Sequence, residues 1–116
     1  MVFSGVGRVF STENDGQYDA IGAFWDEMEA KYGLERLRGL GWNWTDKTIE
    51  YAIGLKEGVI DGADRRVELP DDGWQCARGK TAQLSRIYEE IYRDGALRFE
   101  IETFTSDGNC EIFYQR

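Results

Sequence analysis

The chain has 116 residues, the size of one domain, and a 41% hydrophobic content that supports a single modest core. Its net charge of −8, from 22 acidic and 14 basic residues, repels phosphate backbones and argues against nucleic acid as a direct partner. Mean hydropathy of −0.56 and short apolar runs exclude a membrane-spanning helix. The Met1–Gly7 opening has neither the basic flank nor the apolar stretch of a signal peptide, so a cytoplasmic protein is expected.

In chain order, Val2 to Thr12 is rich in β-formers and predicts a strand. After the turn Glu13-Asn14-Asp15-Gly16, Tyr18, Ile21, Trp25, Met28 and Tyr32 recur at spacings of three and four, the apolar stripe of a first helix. Gly33 stands where a helix C-terminus favours glycine. Leu34 to Leu40 reads as a connector with room for a helical turn. Two strands are predicted next, Gly41–Trp44 and Thr48–Leu55, the second alternating Ile49, Tyr51, Ile53 and Leu55 against Glu50, Ala52 and Gly54. The charged, glycine-bearing stretch from Gly58 to Asp72 holds the only proline, Pro70, and an extended piece around Val67.

The pattern then recurs. Gly73–Arg78 predicts a strand with Trp74 and Cys76 on one face, and Gly79-Lys80-Thr81 a turn into a second helix. There Leu84, Ile87, Tyr88, Ile91 and Tyr92 form the stripe, ended by Asp94-Gly95. Leu97–Thr105 and Asn109–Tyr114 form a hairpin across Ser106-Asp107-Gly108, where Asp-Gly is a strong turn signal. The order is βαββ twice. Two such halves side by side predict an α+β fold, one antiparallel sheet with both helices on one face, over residues 1–116 as a single domain.

Several chemistries are absent. No histidine is present, which removes the commonest general base and the commonest zinc ligand. Cys76 and Cys110 have no metal-knuckle or CxxC spacing and are expected as free thiols. Neither Gly5-Val6-Gly7 nor Gly79-Lys80-Thr81 satisfies a phosphate-loop pattern, and both read as turns. No catalytic triad, metal site or cofactor site is predicted.

Strand parity supplies the candidate site. Phe99 and Ile101 are expected on the helices, and Glu100 and Glu102 on the face that the helices leave free. On the partner strand Ile112 and Tyr114 share one face, Glu111 and Phe113 the other. Carboxylates and aromatics then alternate on the free face. One reading is a solvated sheet surface. The other is a groove whose carboxylates neutralise a cation while aromatic rings stack on it, a contact worth about 0.5–2 kcal/mol. A carboxylate buried there without a partner is costly and has a raised pKa or waits for a charged ligand. Trp25 and Trp74 read as core, whereas Trp42 and Trp44, two residues apart in one strand, read as one groove wall. The candidate ligand-binding residues are Glu100, Glu102, Glu111 and Tyr51, with Trp42, Trp44, Phe104 and Phe113 as aromatic walls.

The runs Val6–Asn14 and Ile21-Gly22-Ala23-Phe24-Trp25-Asp26 resemble the opening of GyrI-like (AraC-type) effector-binding domains, especially the integron-associated effector-binding proteins. Tyr51-Ala52-Ile53-Gly54 is similar to the family's third strand, and Leu69–Trp74 to its Pro-x-Gly-aromatic entry into the fourth. Ile87–Tyr92 resembles the second helix and Phe99-Glu100-Ile101 the fifth strand. The resemblance spans nearly the whole chain and implies a duplicated βαββ fold whose groove takes bulky amphiphilic compounds, often cations. It places Glu100 at the groove floor. Where the family often has a tyrosine two residues later, this chain has Glu102, which predicts a more acidic site. No helix-turn-helix segment is seen, so a stand-alone sensor, sequestering protein or regulatory partner is expected. The resemblance leaves two alternatives: a hydrolase of strained electrophiles using Glu100 as base and Tyr51 as acid, and a protein-interaction module of the gyrase-inhibitor kind. It also leaves room for a protein partner or a homodimer.

Overall fold

The computed structural model describes residues 1–116. Strand β1 (Val2–Ser11) leads to helix α1 (Gln17–Tyr32), then β2 (Leu37–Trp42), β3 (Thr48–Leu55) and the short β4 (Arg65–Glu68). Strand β5 (Gln75–Lys80), helix α2 (Leu84–Arg93) and the hairpin β6 (Phe99–Phe104)–β7 (Asn109–Gln115) follow. All seven strands join one open antiparallel sheet in the order β4-β1-β3-β2-β6-β7-β5. The fold is α+β, and neither helix is long and apolar enough to cross a membrane.

Local sequence explains most boundaries. The stripe of α1 buries Trp25 and Met28, joined by Phe24, while Tyr18 at its start remains 53% exposed. The helix stops at Gly33, whose positive φ of 84° turns the chain away while its N–H still bonds the Glu29 carbonyl at 2.9 Å. Strand β3 has the bounds expected from its alternation.

Two strands are displaced from expectation. β2 begins at Leu37, within the stretch read as a connector, and ends at Trp42 because Asn43 adopts φ 53°. β5 begins at Gln75 rather than Gly73. Gly73 has φ 81°, and the Trp74 indole N–H donates to the Pro70 carbonyl at 2.8 Å, so Trp74 lies outside the strand, though on the same side of the sheet as Phe113, which faces Cys76. The two glycine motifs read as turns are not turns: Gly5–Gly7 lies inside β1, and Gly79-Lys80 completes β5.

Both faces of the sheet are covered. On one, Phe24, Trp25 and Met28 of α1 pack with Leu37, Tyr51, Ile53 and Phe104, and Tyr88 and Ile91 of α2 pack with Leu97 and Ile112. On the other, Phe3, Leu40, Trp42, Ala52 and Ile101 form an apolar layer, closed by Leu69 and Trp74 from the segment between β4 and β5. Both helices therefore lie on the same side, and the chain's own connection covers the reverse.

Candidate functional site

Cross-strand register decides which side chains meet. Tyr51 lies opposite Gly41, Gly41 opposite Glu100, and Glu100 opposite Tyr114. One step along the strands, Ile53, Gly39, Glu102 and Ile112 make a second row on the same face. That face is the one the helices cover: the α1 indole of Trp25 donates to the Tyr51 hydroxyl at 2.8 Å, and Tyr88 and Tyr92 of α2 reach Glu102 and Glu100. Glu100 and Glu102 thus point toward the helices, and Phe99 and Ile101 away from them, the reverse of the expectation. Alternation tells which residues share a face. It does not tell which face is covered when both are, and here the tyrosines make the interior hospitable to carboxylates.

Between α1, α2 and the sheet lies a cavity of about 470 Å³. Its walls are Tyr18, Ile21 and Trp25 from α1, Leu84, Tyr88 and Tyr92 from α2, and Trp44, Tyr51 and Phe104 from the sheet side, with Glu100 and Glu102 at the floor. Each of the two glutamates is only 5% exposed. Glu102 is fully engaged: one carboxylate oxygen accepts from the Tyr51 hydroxyl and the other from the Tyr88 hydroxyl at 2.5 Å. Glu100 accepts a single protein hydrogen bond, from the Tyr92 hydroxyl at 3.0 Å. The Tyr88 and Tyr92 rings, one helical turn apart, stack at 5.7 Å between centroids and 20° between planes.

The two glycines of β2 give these side chains their room. A Cβ on Gly39 would stand 2.1 Å from the Tyr51 hydroxyl oxygen and 2.9 Å from the Trp25 ring. A Cβ on Gly41 would stand 2.9 Å from a Glu100 carboxylate oxygen. A floor without side chains on the central strand is what lets Tyr51 and Glu100 lie across it.

The electrostatics follow from burial. Glu100 has its pKa raised to about 8, first by removal from water and then by the neighbouring Glu102, against the lowering effect of Tyr92. Burial also raises Glu102, opposed by its hydrogen bonds from Tyr51, Tyr88 and Trp25. The two carboxyls titrate as a pair, which retains a proton at neutral pH. Burial first, and the two glutamates second, push the Tyr51, Tyr88 and Tyr92 hydroxyls upward, so all three stay protonated donors. No Lys or Arg lines the cavity, while Asp26 and Glu29 stand with the two glutamates among its carboxylates.

Of the eight residues expected at the site, Glu100, Glu102, Tyr51, Trp44 and Phe104 come together here. Trp42, Glu111 and Phe113 do not. Trp42 faces the other way, packed with Leu40, because the positive φ of Asn43 breaks the alternation between the two tryptophans. Phe113 lies opposite Ile101 and Glu111 opposite Thr103, both on the face away from the helices, where Glu111 bonds the Arg78 guanidinium at 2.5 Å. Tyr51 donates to Glu102 and not to Glu100, so the expected Glu100–Tyr51 pair is not assembled and Tyr92 takes that place. Tyr88 and Tyr92 were hidden in an apolar stripe, and Gly39 and Gly41 in a connector and a strand. Two phenols four residues apart on a helix, opposite two carboxylates on a strand, were the legible signal. Compared with family models, curated proteins and solved structures, the chain matches none.

Proposed function

We propose that the cavity under the helices binds an organic cation with a flat aromatic body, and that the domain is a cytoplasmic sensor, sequestering protein or regulatory partner for such compounds. One observation carries the reading: four carboxylates and no basic side chain line an aromatic cavity of about 470 Å³, within the range of small-molecule sites. Glu100, with one protein hydrogen bond, is the group that meets the charge. Glu102, held by two phenols, keeps the floor negative, and the Trp25, Trp44, Tyr88 and Tyr92 rings sandwich the body. We further propose a duplicated βαββ architecture of the GyrI-like kind, supported by the sheet order, in which β1-β3-β2 and β6-β7-β5 run outward from a central β2–β6 pairing and β4 is an added edge.

Ethidium and crystal violet are suitable probes, with fluorescein as the anionic control. The cations quench tryptophan emission and raise the melting temperature, by a stabilisation of about 2.7 kcal/mol at a hundredfold excess over Kd. Their affinity climbs from pH 6 to pH 8, as Glu100 gives up the proton that competes with them, and levels off above. Equal affinity for fluorescein, or no signal from either cation, sinks this reading.

A second reading, hydrolysis of strained electrophiles, is favoured by one feature. A carboxyl with a pKa near 8 is poised as a general base around neutral pH. Turnover of an aryl epoxide that disappears in Glu100→Gln supports it; binding without turnover removes it.

A further inference from the structure

We infer that the opposite face of the sheet carries a second site, for an organic anion: a carboxylate on an apolar body. A cavity of about 460 Å³ lies there, walled by Trp74, Ile101 and Phe113, with Arg38, Thr103, Met1 and Asp71 as its remaining lining. Arg38 comes from β2, where it follows the parity of Leu40 and Trp42 onto this face.

Arg38 is a cation without a counter-ion. It makes no ion pair, in a chain whose net charge is −8 and in which Arg8, Arg65, Arg66, Arg78 and Arg116 each pair with a carboxylate. Its Nε is buried with no hydrogen-bond partner, and its one protein contact as a donor is a long 3.4 Å approach of Nη2 to the Val2 carbonyl. Its guanidinium rests 4.8 Å from the Phe3 ring centroid, which fixes the plane without neutralising the charge. The one carboxylate in the lining, Asp71, is taken by the Met1 ammonium at 2.8 Å. Burial lowers the Arg38 pKa, and no neighbouring charge contributes.

A half-buried guanidinium with a free, desolvated donor is costly until an anion arrives. Its fork geometry takes a carboxylate in two parallel hydrogen bonds. Thr103, which carries a hydroxyl, lines the same cavity, and Trp74, Ile101 and Phe113 cover the apolar body. Glu100 and Glu102 leave β6 on one side while Ile101 and Thr103 leave it on the other, so the two sites lie back to back on one strand.

The test is an amide-resolved NMR titration with 2-naphthoate, with neutral 2-naphthamide as its isostere. Saturable shifts are expected at the Trp74 indole N–H, Ile101 and Thr103, with the amide at least tenfold weaker. Arg38→Met loses at least tenfold in naphthoate affinity, while Arg8→Gln, which removes an exposed arginine from the helix side, binds as the unaltered chain does. The inference is overturned by equal affinity for acid and amide, by unchanged binding in Arg38→Met, by shifts centred on Trp25 and Trp44, or by no saturation. Should Arg38→Met not fold, the acid–amide comparison on the unaltered chain decides alone.

Discussion

The two faces of this sheet are both buried and yet chemically unlike. Toward the helices, β6 sends Glu100 and Glu102 into a nest of phenols and indoles; away from them it sends Phe99 and Ile101 into an apolar layer with Leu40 and Trp42. The reverse layer follows the usual rule that apolar groups leave water. The helix-side layer breaks it and is stabilised through hydrogen bonds from Tyr51, Tyr88 and Tyr92. Burial, then, is a poor guide to role in this molecule. What separates the faces is how their cost of burial depends on protonation.

Substitutions on the two faces sharpen that difference. The largest effect is expected on the apolar side, where Leu40 is fully buried. Leu40→Ala lowers stability by about 2–5 kcal/mol. Urea unfolding gives the same loss at pH 5.5 and pH 8.5, because nothing in that layer titrates. Next comes Gly39→Ala, on the helix side of the same strand, where the new methyl meets the Tyr51 hydroxyl and the Trp25 ring. A loss of about 1–3 kcal/mol is expected from overpacking. Displacement of Tyr51 from Glu102 also appears as a changed near-ultraviolet circular dichroism signal, which Leu40→Ala does not reproduce in form.

The most diagnostic effect is read from the pH dependence of stability. A carboxyl whose pKa is raised in the folded state binds its proton more tightly folded than unfolded, so it destabilises as pH rises. For Glu100 the window runs from its ordinary value of 4.5 to about 8. Stability therefore declines across that window, at up to about 1.4 kcal/mol per pH unit, and is flat with respect to this group above it. Glu100→Gln removes this group's part of the decline, gaining stability at pH 8 and changing little at pH 5, while the Glu102 carboxyl, also raised by burial, keeps its own. A Glu100→Gln variant with an unaltered slope breaks the contrast between the faces.

Much of the fold was legible because each element carries its own period. The bounds of β3, the stripe of α2 and the Asp-Gly hairpin follow from residues a few positions apart. Glycine misled in both directions: Gly39 in β2 was assigned to a connector, and Gly5, Gly7 and Gly79, read as turns, lie inside strands. At Gly7, Gly39 and Gly79 the glycine marks a close approach by a side chain from elsewhere, and at Gly5 by the backbone of Ile53, neither of which a local reading contains. The site was half legible. Glu100, Glu102, Tyr51, Trp44 and Phe104 were named, but their direction was inverted, since pairing both faces with partners leaves parity without a sign. Trp42 was lost to one backbone torsion, at Asn43. The phenols of Tyr88 and Tyr92 were missed because a tyrosine in an apolar stripe looks like a hydrophobe until its hydroxyl has somewhere to go.

The division of the four tryptophans across the sheet has an optical consequence. Trp25 and Trp44 line one chamber, while Trp74 walls the other and Trp42 packs in the layer around it. Variants that keep a single indole, Trp44 or Trp74, turn the molecule into a label-free instrument with one spectral channel per side. Occupancy of either chamber can then be followed while the other is filled.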